Sequence, residues 1–257
     1  MVQYTNTMGK VEQKNEFFVA NFKDASVGII GQGMLGLAAW VNYFANKSDL
    51  FDPRKTRRVI VAPSLVDIPD LKAAVNASNG LPIHIAAQDV SPFKAGGKAH
   101  TGQVKAETLA MRGIEYVIIA HSETRKDLKL DDSDVKAKIK RAEESGMTPI
   151  VCVENVNDAK RFIEDQDFAG LIAFEPPAAI GTGDPSDPKE TRKVCRQIRK
   201  LFPLASILYG GSVKPSNVRD YLKIPEINGV LVGAKTVNAQ FFADIIQATS
   251  YKKPAVH

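Results

Sequence analysis

Short runs of apolar and β-branched residues alternate with stretches of helical periodicity along most of the chain, and this alternation constrains the fold more than any other feature. The runs are Phe17–Asn21, Arg58–Ala62, Ile83–Ala86, Tyr116–Ala120, Pro149–Val153, Gly170–Phe174, Ser206–Tyr209 and Gly229–Val232. Between them the spacing predicts helices over Asp67–Ala77, Lys105–Arg112, Ser133–Ser145, Pro188–Leu201 and Ala239–Thr249. A strand covered on both faces reads as a nearly continuous apolar run, and a helix between two strands returns the chain to the same edge, so the sheet is parallel. Eight such units in 257 residues have the size of a closed (β/α)8 barrel, although a doubly wound open sheet shares the alternation. No Pro-, Gly- or Ser-rich linker divides the chain. One barrel domain is therefore expected over residues 15–257, behind a polar extension at 1–14.

Composition excludes several other classes. Hydrophobic residues make up 44% and charged residues 25%, which rules out a disordered, collagen-like or disulfide-rich chain. The net charge of +5 is spread along the sequence rather than gathered on one face, so no nucleic-acid partner is expected. Cys152 and Cys195 have no metal-site or disulfide-framework spacing and fit a reducing, cytoplasmic setting. The uncharged stretch from Ala25 to Asn46 is interrupted by Gln32, Asn42 and several glycines, so no membrane span is expected, and no secretory signal pattern opens the chain.

In a parallel barrel the chemistry collects in the loops after the strands. Asn21-Phe22-Lys23 follows the first run, His121-Ser122-Glu123-Thr124-Arg125 the fourth, and Glu175-Pro176-Pro177 the sixth. Gly210-Gly211-Ser212 follows the seventh and Gly233-Ala234 the eighth. Taken singly, each is an ordinary cap, surface charge or turn. Together they offer a cation, a histidine, a carboxylate and two small-residue loops in which backbone N–H groups can approach a phosphate. The segment Glu175–Gly183, with prolines at one end and Gly181-Thr182-Gly183 at the other, reads as a lid that excludes water from a reactive intermediate.

This constellation resembles the triosephosphate isomerase family. Its matching pieces also include Ala87-Gln88-Asp89-Val90-Ser91-Pro92, Thr101-Gly102, Tyr209–Val213 and Leu231-Val232-Gly233, in family order from about Phe17 onward. The resemblance implies a TIM barrel that interconverts D-glyceraldehyde 3-phosphate and dihydroxyacetone phosphate through an enediolate, without metal or organic cofactor. It implies Glu175 as the base and His121 as the electrophile, kept neutral by a helix N-terminus, a tuning for which this family is a known illustration. Lys23 would stabilise the enediolate and phosphate, with Asn21 beside it; Glu123 would pair with Lys23, next to Ser122. Gly181, Ser212, Gly233 and Ala234 would donate to the phosphate. A homo-oligomer is implied, a dimer before a tetramer, with Phe93–Gly102 at its interface.

Two family features are altered. Ala178 stands where the family usually has a tryptophan at the lid hinge, and Cys152-Val153-Glu154-Asn155 replaces the Cys-x-Gly-Glu whose glutamate braces it. These changes leave a second reading, a catalytically silent barrel that binds triose phosphate or serves as a scaffold. Gly31-Gln32-Gly33-Met34-Leu35-Gly36 matches a dinucleotide fingerprint but has no acidic residue ending the next strand, so it reads as a loop entering a helix. The acidic run Asp131, Asp132 and Asp134 reads as a helix start. His84 and His257 have no partner that spacing identifies.

Overall fold

The computed structural model describes residues 15–24, 34–51, 57–96 and 98–249. The polar stretch 1–14, the first glycines of the fingerprint-like segment and His257 lie outside them. Eight parallel strands close into a barrel in sequence order. They are β1 (Glu16–Asn21), β2 (Arg57–Ala62), β3 (Ile83–Ala87), β4 (Tyr116–Ile119), β5 (Thr148–Val153), β6 (Leu171–Phe174), β7 (Ser206–Tyr209) and β8 (Ile227–Val232). Closure is the pairing of β1 with β8, where Phe17 faces Gly229. A side chain at Gly229 would collide with the Phe17 carbonyl, so glycine is what lets the last strand meet the first. The open-sheet alternative is thereby excluded.

The α-helices among the described residues are α1 (Met34–Ala45), α2 (Ile68–Ala77), α3 (Ala106–Met111), α4 (Ser122–Leu128), α5 (Asp132–Glu144), α6 (Val156–Phe162), α7 (Pro188–Leu201), α8 (Val218–Leu222) and α9 (Ala239–Ala248). Local chemistry sets their limits. Asp131 accepts from the Asp134 N–H at 2.9 Å and Asp134 reaches back to the Asp131 N–H, a capping box that accounts for the acidic run. Asp187 caps α7, Pro188 opens it, and Thr191, Cys195 and Ile198 form its buried stripe. His84 pairs with Glu115 at 2.9 Å and meets the Tyr116 ring edge-on, on the barrel-facing side of β3. None of the described helices is long and apolar enough to cross a membrane.

Alternation along each strand divides the core in two. Phe18, Val59, Val61, Val117, Val151, Ile172 and Ile207 face the helices. Phe17, Val19, Ile60, Ile118, Ile150, Leu171, Leu208 and Leu231 fill the barrel itself. Towards the C-terminal ends the inner residues become small, with Ala62, Ala86, Cys152 and Ala173. That leaves room at this end for functional side chains to sit buried.

Candidate active site

Backbone geometry at the strand ends aims the side chains. Just past β4, Ala120 takes φ 59° although it is not glycine, and this left-handed residue turns the chain so that His121 faces inward. Lys23 (φ 54°) and Ser212 (φ 48°) are held the same way after β1 and β7. Gln88 stabilises the first of these turns by donating to the carbonyls of Lys23 and Ala62, each at 3.0 Å. Glu175 continues the β6 ladder through its N–H to the Val153 carbonyl at 2.8 Å, so its side chain enters from a rigid position. A Cβ at Gly210 would stand 2.9 Å from the Glu175 Cγ, which is why the next strand end has no side chain there.

Lys23, His121 and Glu175 meet at one cavity of about 320 Å³, lined also by Ile180, Gly181 and Gly183 and by Ser212, Gly233 and Ala234. His121 caps α4: its Nδ1 accepts from the Glu123 N–H at 3.3 Å, so the ring proton belongs on Nε2. Nε2 stands 3.6 Å from Glu175 Oε1. Burial, then the charge of Lys23, depress the imidazole to about 4, with Glu123 opposing and Arg125 adding to the depression. The ring is therefore neutral at pH 7, with an N–H aimed at the cavity.

Glu175 is 3% exposed, and its Oε2 has no hydrogen-bond partner. Burial pushes this carboxyl up to about 7 against the opposing pull of the Cys152 thiol and Lys23. A carboxylate with one unpaired, desolvated oxygen is costly to the fold and well suited to accepting a proton. Lys23 Nζ pairs with Glu123 at 2.5 Å, which holds the ammonium at the rim of the cavity.

The segment after Glu175 lies over this space. A short 3-10 turn spans Pro177–Ala179, and Gly181 (φ 70°) and Gly183 (φ 83°) adopt a backbone open to glycine. The Ser212 hydroxyl donates to the Ala179 carbonyl at 2.6 Å and accepts from the Gly183 N–H at 3.1 Å. A side chain at Gly211 would collide with the Tyr209 hydroxyl and with Ala179.

Asn21 and Ser122 are buried beside the site and do not line the cavity; Asn21 Oδ1 accepts from the Lys23 N–H at 3.2 Å. The Ser212 hydroxyl, which borders the cavity, is engaged by the Ala179 carbonyl and the Gly183 N–H. Glu154 and Asn155, at the altered brace, have other partners: Glu154 pairs with Arg125 at 2.8 Å and Asn155 caps α6. Sequence reasoning missed Lys214 and Lys235, exposed cations at the cavity mouth, and the contact between Cys152 and Glu175. Nothing in their spacing marks them, because the loops and strands that carry them meet only in the folded chain.

A family profile described as triosephosphate isomerase matches residues 34–249. Among similar proteins, the triosephosphate isomerase of Polynucleobacter asymbioticus is 36% identical over 217 residues, 75% of this chain and 85% of that protein. That of Synechococcus sp. (strain RCC307) is 35% identical, covering 74% of this chain and 80% of its own. That of Cutibacterium acnes is 34% identical, covering 79% and 87%.

Proposed function

The chain belongs to the triosephosphate isomerase family, and from that premise we propose that Glu175, His121 and Lys23 are the groups that carry its reaction. The protein is an intramolecular oxidoreductase that interconverts D-glyceraldehyde 3-phosphate and dihydroxyacetone phosphate, a step of glycolysis and gluconeogenesis. Glu175 Oε2 takes the proton from the carbon beside the carbonyl and returns it to the neighbouring carbon. His121 donates its Nε2–H to the carbonyl oxygen, and the Lys23 ammonium offsets charge on the enediolate and the phosphate. Backbone N–H groups at Gly181, Ser212, Gly233 and Ala234 hold the phosphate, and the lid keeps water away.

One observation carries this reading: a buried carboxyl with an unpaired oxygen lies 3.6 Å from a neutral imidazole N–H, in the same cavity as a lysine. The silent-scaffold reading gives no reason to bury such a carboxyl. The direct test is steady-state conversion of glyceraldehyde 3-phosphate to dihydroxyacetone phosphate by the full chain. A folded protein that turns over neither triose phosphate would return the scaffold reading.

The pH profile follows from the same geometry. Glu175 works ionised and is lifted to about 7, so kcat/KM is expected to fall about tenfold per pH unit below about 7 and to level off above it. His121, lowered to about 4, adds no limb near neutrality. Measured from pH 5 to 9, a profile that bends only where the substrate phosphate titrates, at about 6, removes Glu175 as the titrating base.

The same reading makes the protein a cytoplasmic homodimer. Two free, buried cysteines support a reducing compartment. Val66 and Phe93, 81% and 41% exposed, sit on the neighbouring loops after β2 and β3, where an apolar surface calls for a partner. Sedimentation at micromolar concentration is expected to give a dimer that Phe93→Asp converts to monomer. A monomeric wild type, or a dimer indifferent to the substitution, contradicts the assignment.

A further inference from the structure

Beyond the contacts from Ser212, the lid is gripped a second time just before α7. The Ser186 N–H donates to the Tyr209 hydroxyl at 3.0 Å, and the Ser186 carbonyl accepts from the Tyr221 hydroxyl at 2.5 Å. Tyr209 ends β7 and Tyr221 belongs to α8; both are buried, with rings stacked at 3.8 Å and 10°. Two parallel phenols thus hold the two peptide planes that flank one residue. A single bond to the N–H would leave the following peptide free to rotate, whereas both bonds together set φ and ψ of Ser186.

We propose that Tyr221 is a positioning residue for the lid, which with Tyr209 clamps Ser186 and favours the closed lid over the open one. The proposal rests on the isomerase reading and extends it. Tyr221 does not line the cavity, so it acts through the lid rather than on substrate. The place of the clamp gives it leverage. The next residue, Asp187, is fixed as the cap of α7 by the Lys189 and Glu190 N–H groups, so Ser186 is the last position before the immobile scaffold. At the other end Ala178 contributes only a methyl group to the hinge, and the residues at the altered brace after β5 are turned to other tasks, Glu154 to Arg125 and Asn155 to the start of α6. Burial and the neighbouring Tyr209 push the Tyr221 phenol up, so it remains protonated and able to donate at every working pH.

Lid closure has a chemical readout. The enediolate carries its phosphate on the adjacent carbon, so when it meets water in an open site the C–O bond to phosphate breaks. The enediolate electron pair then becomes a C=C bond, and inorganic phosphate and, after proton transfer, methylglyoxal are released. No oxidant or reductant is involved.

The test is Tyr221→Phe, which keeps the ring, the stack and the burial and removes only the donor. Losing one neutral hydrogen bond to the closed state shifts the lid equilibrium by about threefold to tenfold. The expected result is a rise of that size in phosphate released per isomerisation and in the dissociation constant of 2-phosphoglycolate, whose carboxylate imitates the enediolate. Tyr209→Phe added to Tyr221→Phe should then do less than it does alone, because the two hydroxyls act as one clamp. A lower melting temperature with unchanged phosphate release and unchanged inhibitor binding makes Tyr221 a packing residue and overturns the proposal, as does no change in any of the three. Failure of the isomerase reading is separate and shows in the wild type, as absence of turnover.

Discussion

Glu175→Gln is expected to lower kcat by about 10³-fold, within the 10²–10⁴ range typical of a positioned general base, while KM changes by less than about tenfold. The substitution preserves volume and leaves Gly210 room, so the close approach of the Glu175 Cγ to that glycine is undisturbed. What it removes is the oxygen without a hydrogen-bond partner and the proton affinity that burial raises to about 7. A base matched to the working pH accepts and returns a proton with little penalty in either direction, and an amide does neither. Steady-state rates in both directions check this, together with the melting temperature. Because a buried carboxylate costs stability at pH 7, the variant should be no less stable than the wild type. Turnover within tenfold of wild type would remove Glu175 from the proton transfer.

His121→Gln is expected to lower kcat by about 10²–10³-fold, the usual loss when one donor to a developing oxyanion is removed. The imidazole does two things at once. Its Nδ1 accepts from the first turn of α4, and that bond commits the proton to Nε2, beside the Glu175 carboxyl. Glutamine is flexible and places its amide with neither constraint, so the donor is no longer aligned. The loss should fall on kcat rather than on phosphate affinity, since the histidine meets the carbonyl end of the substrate. The cap is also weakened, at a cost of roughly 1 kcal/mol in stability. A variant with normal kcat and a raised KM would make His121 a binding residue.

Much of the architecture was legible along the chain. Every predicted strand overlaps an observed one, because strands buried on both faces cannot avoid continuous apolar runs such as Val59-Ile60-Val61-Ala62. The five predicted helices correspond to α2, α3, α5, α7 and α9, with the 3.6-residue periodicity plainest in long ones such as α7, whereas α1 was legible only as the helix entered from the glycine-rich loop. α4, α6 and α8 were not anticipated: with seven, seven and five residues they span at most two turns and give little periodic signal, and of the helices this short only α3 was legible in the sequence. Lys23, His121 and Glu175 could be singled out because each stands just past a strand in a local motif. The partners that tune them could not. Cys152 lies inside β5, and Tyr221 faces the lid from a short helix that sequence spacing does not reveal.

The sequence by itself therefore determined the eight-unit alternation, the end of the barrel where chemistry collects, and the residue types gathered there. All of these follow from local periodicity and from strand ends, which are properties of neighbouring residues. Only the tertiary structure decided that the sheet closes, through Gly229 meeting Phe17, and that the Glu175 and His121 titrations are pushed in opposite directions. It alone decided, too, that Tyr209 and Tyr221 take hold of one lid residue from both sides. Those outcomes depend on burial and on contacts between segments far apart in the chain, and desolvation has no value until the fold has excluded the water.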